Sequence, residues 1–126
     1  MARKNVVLHQ LWSAEDMDAD KTATPTIVRY LDNIAYQINF TTSDAIGVWR
    51  VEASLDYEVD AVTGQVVNAG EWVPLILSGS PAAAGANDEI LININQNPFN
   101  ALRLVYDRTS GDGSMSAFIM ARQIGG

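Results

Sequence analysis

The chain has no cysteine among its 126 residues, which excludes disulfides, thiolate nucleophiles and Cys-based zinc sites and makes stability independent of redox state. It has one histidine, His9, so any Ser-His-Asp triad would have to use that residue as its base. No sequence feature places a nucleophile beside it, and His9 reads as an ordinary strand histidine. Basic residues are scarce: eight Lys and Arg against fifteen Asp and Glu leave a formal charge of −7, which repels phosphate backbones and anionic membranes. Only Arg3-Lys4 are adjacent, so there is no basic stripe interleaved with aromatics to track a nucleic-acid strand. Long apolar runs are also missing. Met1-Ala2-Arg3-Lys4 leads into Val6-Val7-Leu8 alone, too short for a signal-peptide core or a membrane span. These shortages point to a soluble, cytoplasmically made protein with neither nucleic acid nor membrane as partner.

At this length one domain, residues 1–126, is expected, with residues 1–4 as a flexible N-terminal arm. Area scaling gives burial of about 13,000 Å² out of the roughly 20,000 Å² exposed by the unfolded chain, enough for an autonomous core.

What the chain does contain is alternation. Ile34, Tyr36, Ile38 and Phe40 share one side of an extended run, with Ala35, Gln37, Asn39 and Thr41 on the other; that is the period of a half-buried strand. Trp49, Val51, Ala53, Leu55 and Tyr57 repeat the pattern, with Arg50, Glu52, Ser54 and Asp56 expected to face water. Residues 88–95 align Ile90, Ile92 and Ile94, and residues 101–107 align Leu102, Leu104 and Tyr106. In residues 114–123 Met115, Ala117, Ile119 and Ala121 share one face while Phe118 and Met120 occupy the other, so this strand is expected to be central or at a subunit contact. Weaker strands span 5–12, 26–31 and 72–77, the last held to an edge or a bulge by Pro74, which cannot donate a ladder hydrogen bond.

Turn chemistry separates these runs: Asp32-Asn33, Thr63-Gly64, Ser80-Pro81 with Gly85, Asn97-Pro98 and Ser110-Gly111-Asp112-Gly113. The last of these predicts an antiparallel hairpin between Leu102–Tyr106 and Met115–Ala121. No stretch of a dozen residues holds a 3.6-residue period, and Ala82-Ala83-Ala84 is too short for a helix between Pro81 and Gly85. The expected fold is all-β, almost without helix: about eight strands in an antiparallel β-sandwich of jelly-roll type, with a closed barrel as the alternative.

Chemical motifs are few. Glu15-Asp16-Met17-Asp18-Ala19-Asp20 has the alternating acids that open a calcium loop, but Lys21 stands where an EF-hand needs glycine and Ile27 where it needs the bidentate Glu. A solvated loop, with no metal or cofactor, is the expectation. Gly111-Asp112-Gly113 and residues 78–85 lack the strand-to-helix context of a phosphate cradle and read as turns. No pair of carboxylates stands out for glycoside chemistry. Trp49 falls on a core face. Trp12 and Trp72 are expected in the core or at a subunit contact rather than as a sugar platform, since aromatics are enriched at interfaces.

The run Leu31-Asp32-Asn33-Ile34 with Tyr36-Gln37-Ile38-Asn39-Phe40-Thr41, then residues 49–57 ending in Ser54-Leu55-Asp56-Tyr57, resembles a family of small tailed-phage virion proteins. Glu71-Trp72-Val73-Pro74-Leu75, residues 88–96 and residues 102–117 continue the resemblance over most of the chain. It implies a jelly-roll-like decoration, or cement, protein on the exterior of a phage head, partnered with the major capsid protein and bracing its subunits. Such a role needs a rigid domain and no catalysis. A phage tail or baseplate part, or a module reading host-surface carbohydrate through Trp12 or Trp72, is the alternative, and an enzyme comes third. Strands 5–12 and 114–123 carry apolar side chains on both faces, which makes Val6, Leu8, Trp12, Phe118 and Met120 candidate interface residues, and aromatic enrichment at interfaces adds Trp72. A homo-oligomer, dimer or trimer, is expected to cover the second face, unless the loop 13–25 does so.

Overall fold

The structure, a computed structural model, describes residues 6–29, 31–75, 81–95 and 97–123. The expected N-terminal arm, the first residue of the 5–12 strand and residues 76–77 of the 72–77 strand lie outside the described residues. Within them the protein is all-β and no helix is present.

A four-stranded antiparallel sheet has the order β1-β12-β4-β10, formed by β1 (Val6–Asp16), β12 (Gly113–Arg122), β4 (Asn33–Thr42) and β10 (Asp88–Ile94). A six-stranded sheet faces it. Its path is β2 (Lys21–Thr22), β11 (Ala101–Ser110), β5 (Ile46–Ser54) and β8 (Val73–Pro74), with β3 (Thr26–Ile27) also on β11 and β9 (Ala82–Ala84) also on β5. A small hairpin, β6 (Glu58–Val59) with β7 (Val66–Asn68), stands apart and turns at Gly64.

The alternation read from the sequence builds the core. Ile34, Tyr36, Ile38 and Phe40 of β4 are buried, and register places Tyr36 between Ile92 and Ile119. On the facing sheet Trp49, Val51 and Ala53 lie opposite Tyr106, Leu104 and Leu102. Phe40 reaches across to Trp49, ring centroids 4.9 Å apart, and Trp49 stacks in turn on Tyr106 at 4.8 Å. Tilted aromatic contacts of this kind add to the burial that holds the core together.

Four expectations are corrected. β11 and β12 are consecutive but do not pair: β11 lies in the six-stranded sheet beside β5, and β12 in the four-stranded sheet between β1 and β4. Gly111, at φ +79°, carries the chain between sheets and is packed so tightly that a Cβ there would come within 2.2 Å of the Asp44 carbonyl oxygen. The turn signal was correct and the pairing wrong, because a corner between sheets uses the same residues as a hairpin.

Leu55 is 73% exposed, not core. β5 ends at Ser54, whose Oγ accepts hydrogen bonds from the backbone N–H of Asp56 and Tyr57 and bends the chain. That turn throws Leu55 outward and returns Tyr57 to the interior. Glu52 and Ser54, expected to face water, are 7% and 2% exposed. Trp12 also belongs to the core rather than to any contact surface, since it sits opposite inward-facing Ala117. Two register shifts, at Gln10/Trp12 and Trp12/Glu15, turn it inward.

The remaining boundaries moved less. β8 lies at the edge of its sheet, as Pro74 requires. The 26–31 strand is only Thr26–Ile27, followed by a turn in which Leu31 N–H donates to the Val28 carbonyl. The trialanine is a strand, pairing Ala84 with Ile46 and Ala82 with Val48.

Candidate interaction surfaces

Strand parity brings Val6, Leu8, Phe118 and Met120 to one place, the outward face of the four-stranded sheet. Leu8 is paired with Met120 and Met120 with Ala35; one row along, Phe118 is paired with Gln10 and with Gln37, which is paired with Leu91. Leu8 and Leu91 are 62% and 66% exposed, Met120 is 45% exposed and Phe118 is half-buried. The result is an apolar patch of Leu8, Met120, Ala35, Phe118 and Leu91 spread over the four strands, with Gln37 set between Phe118 and Leu91. Leu91 was not singled out from the sequence, though it is the one leucine on the solvent side of the Ile90, Ile92, Ile94 alternation. Segment 13–25 leaves this patch open, because it runs to the other sheet: β2 pairs with β11 and Ala23 N–H donates to the Leu104 carbonyl.

The outward face of the six-stranded sheet is cross-linked by charge. Arg103 lies directly opposite Glu52 and donates to its carboxylate at 2.7 Å, while Arg50 Nε donates to the other carboxylate oxygen at 3.0 Å and Arg50 Nη1 to Asp107. Burial pushes the Glu52 carboxyl up, but the Arg103 and Arg50 guanidiniums outweigh it, and the group titrates below the ordinary glutamate value.

Trp72, the sixth candidate residue, belongs to this second surface. The Arg103 guanidinium carbon lies 4.4 Å from the centroid of its ring, Tyr57 packs at 5.4 Å and the indole N–H donates to the Ala69 carbonyl at 2.9 Å. These contacts root an excursion, residues 55–75. Asp56 Oδ1 accepts from Glu71 N–H and from the Ser54 hydroxyl, both at 2.9 Å, and these bonds hold its carboxyl low. Gly70, at φ +76°, is pressed against Ser54 and Tyr57 so closely that a Cβ would sit 2.7 Å from Ser54 Oγ. Beyond this root the β6–β7 hairpin exposes Val62 (93%), Val66 and Val67. The excursion carries Asp56, Glu58, Asp60 and Glu71 and no basic residue.

His9 is exposed on β1, opposite Ile119. The acidic run 15–20 is divided: Glu15 and Asp18 lie 3.3 and 3.6 Å from Lys21 Nζ, and Asp20 accepts from Arg108 N–H. Among the described residues no group of three or more His, Cys, Asp or Glu side chains is placed to hold a metal ion.

No family model and no curated protein matches this chain. Solved structures do. The fold is similar to that of the SPBc2 prophage-derived protein YomS, at 8% sequence identity and a TM-score of 0.51, over 95% of this chain and 96% of that one. It is similar also to a chain in the structure of infectious bursal disease virus Gx strain, at 14% identity and a TM-score of 0.54, over 99% of this chain and 33% of that one. The Gt strain gives the same picture, at 12% identity and a TM-score of 0.51. This chain thus spans a third of the length of the infectious bursal disease virus chains it matches. At such identities the likeness is one of fold.

Proposed function

We propose that this protein is a structural component of a phage virion, a decoration protein that binds the outside of the capsid and braces neighbouring subunits without catalysing a reaction. The observation that carries the reading is strand order. If β2 with β3, and β8 with β9, are each counted as one interrupted strand and the separate β6–β7 hairpin is set aside, the sheets read first-eighth-third-sixth and second-seventh-fourth-fifth. We read that order as an eight-stranded jelly roll, an architecture used in viral capsids. The full-length likeness to a prophage-derived protein and the sequence resemblance to phage virion proteins support the same reading.

The surfaces suit it. The fold presents an apolar patch on one side and an acidic, valine-tipped hairpin on the other, and exposed apolar patches of this kind mark contacts with other proteins. In this reading the hairpin meets basic ground on the major capsid protein. The test is to add purified protein to phage heads that lack it and to measure co-sedimentation. Saturable binding at a copy number set by the lattice, with heads surviving heating or chelation better, is expected. No binding to heads, or recovery with isolated tails alone, would sink the capsid assignment. A glycan-array signal lost on Trp72→Ala would replace it with the carbohydrate-binding reading.

A further inference from the structure

We propose that the outward face of the four-stranded sheet is the interface of a two-fold homodimer whose axis runs across the strands, so that the Arg122 end of one copy lies over the Glu89 end of the other. The occupant follows from charge. The chain carries −7, yet the central rows of this face, from Leu8 and Met120 to Phe118 and Leu91, carry no charged side chain. A second copy approaches here with less repulsion than on the acidic hairpin.

The ends of the face differ in sign. At one end a groove of about 380 Å³ is bordered by Arg122, Met120, Ala35 and Asn93. At the other, a groove of about 560 Å³ is bordered by Glu89, Asn39, Thr41 and Ser116. The Phe118, Gln37 and Leu91 row stands between them. Packed sheets of aligned type keep their strands within about 30° of each other, so a two-fold in the contact plane runs nearly along the strands or nearly across them. An axis along the strands would set Arg122 near its own copy and acid over acid. An axis across them sets each positive end over a negative one and the apolar rows over each other, which is the self-complementarity that an isologous contact demands.

Size agrees with a modest affinity. Eight steps of about 3.3 Å by four strands of about 4.8 Å give roughly 500 Å² per copy, so a pair buries about 1,000 Å², the lower bound for a specific interface. Self-association in the micromolar range is the expectation that sedimentation velocity tests. It concerns the isolated chain and holds or fails independently of the capsid reading.

Sedimentation velocity on the full chain from about 1 to 500 µM, with circular dichroism on every variant, tests the proposal. The wild-type protein is expected to pass from monomer to dimer. Arg122→Glu and Glu89→Arg, both at exposed positions, should each weaken the dimer at least tenfold. An equimolar mixture of the two should restore it, because each heterodimer contact then pairs opposite charges. Leu91→Lys, midway along the edge strand β10, should leave a folded monomer. A wild-type monomer throughout, a trimer, a dimer indifferent to Leu91→Lys, or single charge variants that weaken the dimer without rescue on mixing would each overturn the proposal.

Discussion

The two sheets share one core but present opposite surfaces to solvent. On the six-stranded sheet Glu52 is held by Arg103 and Arg50, Arg50 also by Asp107, and Arg103 lies against Trp72, so the side chains at the centre of that face are tied to each other, while Ile46 and Val48 stay exposed toward the start of β5. On the four-stranded sheet Leu8, Met120 and Leu91 stand out from the surface among amides and have no such ties. The difference teaches which face has its centre finished within the chain. A satisfied ionic ladder gains nothing from a newcomer that must desolvate it, whereas exposed apolar side chains gain from any surface that covers them.

Substitutions can break this comparison, and the core behind both faces sets the scale. Leu104→Ala, at a fully buried position, is expected to cost about 2 to 5 kcal/mol in urea denaturation. A cost under 1 kcal/mol would mean that the two inner faces do not meet as described.

On the charged face, Glu52→Ala should cost about 1 to 3 kcal/mol, less than a fully buried pair because both arginines stay partly solvated. It removes the carboxylate shared by both guanidiniums. Leu8→Ser on the apolar face should change monomer stability by no more than about 0.5 kcal/mol. Equal effects at Glu52 and Leu8 would erase the contrast.

The contrast should also depend on pH. Glu52 and Asp56 both have carboxyl groups depressed on folding, so their contribution is complete above the ordinary carboxylate range near pH 4 and is lost as pH falls through their lower folded values. Urea midpoints measured from pH 6 to pH 2.5 should fall less steeply for Glu52→Gln than for the wild type. Parallel curves would remove Glu52 from the account.

Smaller effects sharpen the edges of the six-stranded face. Leu55→Ala, at a position turned outward by the Ser54 bend, should stay within about 0.5 kcal/mol. Calcium or EDTA should leave the melting temperature unchanged, since Lys21 already sits between Glu15 and Asp18. A rise of several degrees with calcium, abolished by Asp18→Ala, would show a site in that run.

Much of this was legible in the residues. Period-two alternation in β4, β5, β11 and β12 named the inner faces correctly, because the pleat sends neighbouring side chains to opposite sides whatever the strand pairs with. It failed at Leu55 and Glu52 for reasons that local patterning does not contain: one hydroxyl ended a strand early, and two arginines from different strands closed over a carboxylate. Of the six candidate interface residues, Val6, Leu8, Phe118 and Met120 were brought together, Trp12 was taken into the core by two register shifts, and Trp72 joined the opposite sheet. The root of the 55–75 excursion, with Gly70 pressed on Ser54 and Tyr57, left only a turn signal at Thr63-Gly64 in the sequence.

By itself, the sequence determined that the chain is β, which side chains of each long strand face inward, where most turns fall, and that its charge is acidic. These are local properties, set by side-chain alternation, by the backbone freedom of glycine and asparagine, and by simple addition of charge. Partnership was decided only by tertiary structure: which strand lies beside which, that Ser110 to Gly113 crosses between sheets rather than closing a hairpin, and that Arg122 and Glu89 stand at opposite ends of one face. Pairing is a competition among all strands for each edge, decided by how the assembled inner faces fill one core, and no window along the chain contains that competition.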